Sequence, residues 1–243
     1  MKKYTDLFID FDDTLYDTHG NAVIALGELF DQCRLDRYFA TLEDFTVPYW
    51  KANVELWEQY SKGLISRDYL IVERFRRPLS MGWVPSHSAE GRQHFSPSRE
   101  YCLQVSDRFL DLCACKPGLV DGAREVLEYL RQRYRMHLCS NGFHEVQYRK
   151  LQASDTARYF DTIILSEDAG ANKPSREFFQ YAFSKTGADV ASTLMIGDNL
   201  QTDIIGAANA GLDTLFFDRW QNTPDAPEAT MRVDSLLHIK GML

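Results

Sequence analysis

The chain has 243 residues, 44% hydrophobic and 13% aromatic, enough to bury a sizeable core in one large domain or two small ones. Its formal net charge of −8 argues against general binding to nucleic-acid backbones or anionic membranes, and leaves a small phosphorylated ligand open if the site carries its own cations. Five cysteines without a C-x-x-C pair fit free thiols in a reducing cytosol; Cys113 and Cys115 lack the second ligand pair a metal site needs. Lys2-Lys3, followed at once by polar residues and a short strand, predicts no secretory leader, and no apolar run reaches membrane-spanning length.

Tyr4 to Asp10 reads as a strand, with the apolar run Leu7 to Ile9 buried. It ends in three carboxylates, Asp10, Asp12 and Asp13, followed by Thr14. Crowded carboxylates repel and lose solvation, so a bound cation or a catalytic task explains them better than stability does, although Asp and Thr are also common turn formers. The period then becomes helical. Asn21 to Cys33 carries Val23, Leu26, Leu29, Phe30 and Cys33 on one stripe, and Leu42 to Tyr60 carries Phe45, Trp50, Val54, Trp57 and Tyr60. Ser66 is an N-cap for a helix through Arg76 that Pro78 ends, and Ser98 to Cys113 is another helix. Gly82 to Pro97 reads as irregular or as short helical pieces, so residues 17 to 113 read as all-helical, without a strand.

Lys116-Pro117-Gly118 punctuates the chain, and helix and strand then alternate. Helices Gly122–Arg133, Phe143–Ser154, Pro174–Thr186 and Gln201–Ala210 each lead to a strand, at Met136–Ser140, Thr162–Ser166, Thr193–Gly197 and Asp213–Phe217. Met231 to Leu243 reads as a polar connection and a final short helix. The alternation predicts an α/β fold with a parallel sheet, formed by residues 1–16 and 117–243. Residues 17–116 are then an insertion at the carboxyl edge of the sheet, suited to act as a lid.

Strand ends carry the chemistry. Ser140-Asn141-Gly142 before a helix offers a hydroxyl and free N–H groups for an anion, or a plain N-cap. Lys173-Pro174 puts a cation at a helix start, where the dipole disfavours it; a phosphate ligand or a solvated loop accounts for it. Gly197-Asp198-Asn199 with Asp203 adds two more carboxylates, while Glu167 and Asp168 read as a solvated loop. Four carboxylates at one edge call for a hard cation with oxygen ligands, and Mg²⁺ fits a site that also holds a phosphate.

Asp10-x-Asp12-x-Thr14, Ser140-Asn141-Gly142, Lys173-Pro174 and Gly197-Asp198-Asn199 with Asp203, in this order, resemble the motifs of the haloacid dehalogenase (HAD) superfamily of phosphatases. The helical insertion resembles that family's C1 cap. Longer stretches look like the YjjG-type pyrimidine 5'-nucleotidases: Phe8 to Leu15, Ser140 to Phe143, Ser166 to Pro174, Gly197 to Gly211, and Leu56-Trp57-x-x-Tyr60-x-x-Gly63 in the insertion. The insertion between Gly82 and Pro97 has no counterpart in that pattern. The resemblance implies a Rossmann-like three-layer parallel-sheet core with an all-helical C1 cap after the first strand.

The activity it implies is Mg²⁺-dependent phosphomonoester hydrolysis through an aspartyl-phosphate. Asp10 would be the nucleophile, and Asp12 the general acid and base, its pKa raised by its neighbours. Lys173 would neutralise the phosphoryl group, and Ser140 and the Asn141 N–H would bind its oxygens. Asp10, the Asp12 carbonyl and Asp198 would hold the metal, with Asp203 a direct or a water-mediated ligand. The implied substrate is a small phosphorylated metabolite, a pyrimidine nucleoside 5'-monophosphate. A sugar-phosphate phosphatase, a β-phosphoglucomutase-like mutase and a non-catalytic phosphate- or nucleotide-binding module are the alternatives. Phe143, Trp57 and Tyr60 are the candidate specificity residues, with cap packing the competing role for Trp50, Trp57 and Tyr60. His19 and His144 read as surface or capping residues. The expected setting is cytoplasmic, as a monomer or weak dimer, without nucleic-acid polymer or membrane partners.

Overall fold

The computed structural model describes residues 4–85, 91–221, 223 and 229–243. In chain order it comprises β1 (Asp6–Ile9), α1 (Thr18–Gln32), α2 (Leu42–Ser61), α3 (Arg67–Leu79), β2 (Trp83–Pro85), β3 (Arg92–His94), α4 (Arg99–Ala114), α5 (Ala123–Arg131), β4 (Arg135–Ser140), α6 (His144–Ala153), β5 (Thr162–Leu165), α7 (Ser166–Ala169), α8 (Arg176–Thr186) and β6 (Thr193–Gly197). A π-helical turn, Leu200–Ile205, then runs into α9 (Gly206–Asn209), followed by β7 (Asp213–Phe217), β8 (Met231–Val233) and a 3-10 turn at Leu236–Gly241. The chain divides into two compact units, one of the segment up to His19 with Lys116–Leu243, the other Gly20–Cys115.

In the first unit, six strands among the described residues form one sheet in the order β5-β4-β1-β6-β7-β8, every pairing parallel. Helices cover both faces, so the strands are continuous apolar runs. Leu7, Ile9, Leu138, Ile196 and Leu215 share a core with Val126, Leu127 and Leu130 of α5. Phe8, Cys139, Ile164 and Met195 point the other way, to Phe178, Phe179 and Ala182 of α8. The order of succession reverses between β1 and β6, and ligands of such sheets bind in the crevice beyond the carboxyl ends at that reversal. Asp10 continues β1 into this crevice, its N–H bonded to Ile196 O at 2.9 Å.

Several elements of this unit differ from what the sequence predicts. The tail does not merely connect: Met231–Val233 pairs with β7 as an edge strand, and Leu236 and Ile239 enter the core. Three residues proved too short a run to stand out as a strand. The helix expected from Pro174 starts at Arg176, with Ser175 as its cap accepting from Phe178 N, and the Lys173–Pro174 peptide is cis. The expected helix Gln201–Ala210 begins as the π-helical turn that carries Asp203.

The second unit packs α1 to α4 around Leu26, Leu29, Phe45, Tyr49, Phe75 and Phe109. Ser66 and Ser98 cap α3 and α4, and Thr41 forms a reciprocal capping box with Asp44 at α2. Four expectations fail here. β2 and β3 form an antiparallel pair where irregular or helical pieces were expected, residues 86–90 of that stretch lying outside the described residues. Pro78 sits within the last turn of α3 instead of ending it, and Ser80 N closes the helix onto Arg76 O. The buried face of α2 is Phe45, Tyr49, Ala52 and Leu56, with Val54 65% exposed, so the stripe is rotated from the one drawn through Trp50 and Val54. Val23 of α1 is likewise exposed. Bulky residues drew the expected stripes; the small residues Ala22, Ala25 and Ala52 mark the real ones. Among the described residues, no helix is long and apolar enough to cross a membrane.

Candidate active site

Lys173 is the centre of the site. Its side chain is buried, and Nζ donates at 2.7 Å to Asp10 Oδ1, to Asp203 Oδ1 and to the Cys139 carbonyl at the end of β4. Burial alone would push the ammonium down, but the Asp10 and Asp203 carboxylates hold it above its usual value. A reciprocal pair anchors the loop that carries it: Lys173 N donates to Asn141 Oδ1 at 2.8 Å, and Asn141 Nδ2 donates to Lys173 O at 2.9 Å. The reading of Lys173 as a solvated loop residue is thereby excluded.

The carboxylates of Asp10, Asp198 and Asp203 each bring an oxygen within 4.8 Å of the others. Thr14 joins two of them, its hydroxyl 3.1 Å from Asp10 Oδ2 and 2.9 Å from Asp198 Oδ1, and it accepts from Asp198 N at 3.0 Å. One hydroxyl hydrogen faces two carboxylates, so Thr14 donates to one of them at a time. Asp203 is secured by Asn199 N (3.1 Å) and Thr202 Oγ1 (3.2 Å) besides Lys173. Burial pushes the Asp10 carboxyl up to about 7, Lys173 opposing and the charges of Asp203 and Asp12 adding to the rise. Asp198 is pushed well above the carboxylate range by burial and then by Asp10, Asp203 and Asp13. An all-oxygen set of three carboxylates against the single ammonium of Lys173 suits a hard divalent cation.

Two glycines make room here by close approach. A Cβ on Gly197 would lie 2.3 Å from Asp203 Oδ2, and one on Gly206 would lie 2.7 Å from Pro174 Cβ.

Asp12 departs from expectation. Its carboxylate is held by Lys150 Nζ (2.5 Å) and Thr18 Oγ1 (2.5 Å) on Oδ1 and by Gln147 Nε2 on Oδ2. Burial would raise this carboxyl, yet the Lys150 ammonium and the Lys150, Thr18 and Gln147 donors hold it below the usual range. The expected raised pKa is therefore corrected: a cation unforeseen in the sequence faces the group. Ser140 is buried at the end of β4, its Oγ accepting from Gly142 N (3.0 Å) and Gln147 Nε2 (2.9 Å).

Phe143 precedes α6 and is 2% exposed. Trp57 and Tyr60 are half-buried on α2, their ring centroids 5.6 Å apart and nearly perpendicular. Trp50 packs on the helical core. Glu167, read as solvated, accepts from His144 N at 2.6 Å and so caps α6. His19 is exposed, edge-on to Trp220. Arg219, missed in the sequence, bonds Asp13 (2.7 Å) and Asp17 (2.6 Å) and fixes the loop after β1, where Asp13 has φ 61°. A lone arginine after a strand gives no sequence signal for that role.

A parallel sheet with a buried lysine and three carboxylates at its switch point defines an enzyme of the Rossmann-like α/β class. The family model "haloacid dehalogenase-like hydrolase" matches residues 7–211, and the chain belongs to that family. It is 31% identical to the putative HAD-hydrolase YfnB of Bacillus subtilis, across 98% of this chain and 96% of that protein. It is 29% identical to the pyrimidine 5'-nucleotidase YjjG of Escherichia coli, across 99% and 98%. With the pyrimidine 5'-nucleotidase PynA of Streptococcus pneumoniae it shares 30% identity, across 88% and 84%. The crystal structure of YfnB bound to magnesium superposes with a TM-score of 0.85 at 27% identity, covering 100% of this chain and 99% of that one.

Proposed function

We propose that the protein is a Mg²⁺-dependent phosphomonoester hydrolase that works through an aspartyl-phosphate on Asp10, with pyrimidine nucleoside 5'-monophosphates as substrates. One observation carries the reading: at the switch point of the sheet, the Asp10 carboxylate has Lys173 Nζ at 2.7 Å and clusters with Asp198 and Asp203. Similarity to YjjG and PynA over most of the chain supports the substrate class.

Asp10, Asp198 and the Asp12 carbonyl are the proposed Mg²⁺ ligands, with Asp203 direct or through water. When bound, the ion supplies positive charge to the transferring phosphoryl oxygens. A carboxylate oxygen of Asp10 attacks phosphorus as the bond to the leaving oxygen breaks, and Asp12, once protonated, gives its proton to that oxygen. Asp12 then takes a proton from the water that attacks phosphorus, and the Asp10–phosphorus bond breaks. Lys173 balances the phosphoryl charge, and Ser140 and the Asn141 N–H bind its oxygens. The helical insertion is proposed as the C1 cap that selects the substrate, with Trp57 and Tyr60 as contacts.

The test is phosphate release with Mg²⁺ from UMP, dUMP, dTMP, AMP, glycerol phosphate and hexose phosphates, with Asp10→Asn as the blank. Release from the pyrimidine monophosphates above the others is the expected result. A preference for a sugar phosphate overturns the substrate and keeps the chemistry. No release above the blank overturns the hydrolase reading in favour of a mutase or a binding module.

A further inference from the structure

Helix α6 buries two polar residues on the face where Val146 and Leu151 are apolar: Gln147 is 0% and Lys150 6% exposed. Gln147 Nε2 donates both to the Asp12 carboxylate and to Ser140 Oγ at 2.9 Å. A primary amide has two hydrogens, and here each serves a different functional group. The other end of the same amide, Oε1, is buried without a partner among the described residues. Burial of this side chain is therefore not a stabilising arrangement in its own right.

The effect on Ser140 follows from valence. Its hydroxyl accepts from Gln147 Nε2 and from Gly142 N at 3.0 Å, which fills both lone pairs. The O–H is left as a donor only, which is the state an anion site needs. On Asp12, Gln147 takes Oδ2 while Lys150 and Thr18 take Oδ1, so the carboxylate is fixed in rotation. The backbone is shaped to allow this: a Cβ on Gly142 would lie 1.7 Å from Gln147 Nε2. On the phosphatase reading above, we infer that Gln147 is a positioning residue that couples the acid–base carboxylate of Asp12 to the phosphate-binding hydroxyl of Ser140 through the two hydrogens of one amide.

The test uses the full chain with Mg²⁺, comparing Gln147→Leu, the size-conserving Gln147→Glu and Gly142→Ala with the parent. UMP serves as an alkyl ester, p-nitrophenyl phosphate as an ester whose leaving group departs without a proton, and inorganic phosphate as product inhibitor. Gln147→Leu and Gln147→Glu should weaken inhibition by inorganic phosphate about tenfold through Ser140. They should slow release from UMP about 10²-fold through Asp12. The first burst of nitrophenolate should fall no further than the lost phosphate affinity accounts for. Gly142→Ala should give the same pair of losses and add nothing in the Gln147→Leu background. Loss of only one of the two properties, equal losses on both esters, or additivity of the double variant overturns the coupling, with circular dichroism confirming that the variants fold. A parent that releases phosphate from neither ester overturns the phosphatase reading itself, whereas an active parent matched by its variants overturns the coupling alone.

Discussion

Replacing Lys173 with Met keeps the buried length and removes the charge. The three 2.7 Å bonds from Nζ disappear, and Asp10, Asp198 and Asp203 face one another without a buried cation. Removing one partner of a buried ion pair costs about 3–5 kcal/mol, because the remaining charge is left uncompensated. At about 2–4 °C per kcal/mol for a chain of this size, the variant should melt about 6–20 °C below the parent at pH 8 without Mg²⁺. The deficit has a pH dependence of known sign. Burial pushes Asp10 up to about 7 even against Lys173, and loss of Lys173 raises it further. A carboxyl whose pKa is raised on folding costs stability above that pKa, and the cost is relieved as pH falls through it. The gap between variant and parent should therefore narrow from pH 8 to pH 5.5. Urea unfolding of both proteins at both pH values measures it. A variant as stable as the parent at pH 8, or a gap of equal size at both pH values, refutes the reasoning.

The remaining predictions concern the other members of the cluster. Asp10→Asn should lose turnover while still binding UMP, read by phosphate release and calorimetry; residual Mg²⁺-dependent turnover removes Asp10 as nucleophile. Asp12→Ala should fall about 10²-fold or more on UMP yet keep a nitrophenolate burst, and equal loss of both removes its role as acid. Mg²⁺ at 100 times its dissociation constant should add about 2.7 kcal/mol to stability. Protons compete for Asp10, pushed up to about 7, so the Mg²⁺ thermal shift should be larger at pH 8 than at pH 6 and vanish with a chelator; equal shifts at both pH values count against Asp10 as a ligand. Gly197→Ala places a Cβ 2.3 Å from Asp203 Oδ2. Overpacking of this kind costs about 1–3 kcal/mol, and weaker Mg²⁺ binding should accompany the lower melting temperature.

The core of the site was legible because its residues sit where the chain changes grammar. Asp10, Ser140 and Asp198 lie at the carboxyl ends of strands and Lys173 shortly before the cap of α8, and a polar residue at such a point stands out against an apolar run. Asp12 was legible in identity and not in environment, because its partners Thr18, Gln147 and Lys150 come from helices, where Thr, Gln and Lys are ordinary surface residues. A signal was nonetheless present: Gln147 and Lys150 fall on the stripe of Val146 and Leu151, so the buried face of α6 is polar in its middle. A helix that breaks its own apolar stripe with an amide and an amine must place them against something that accepts hydrogen bonds, and the strand ends beside it supply Asp12 and Ser140. The hairpin β2–β3 and the edge strand β8, each strand three residues long, had no comparable signal. Strands this short are fixed by their partners across the ladder rather than by their own period, and pairing of that kind is a property of the folded chain.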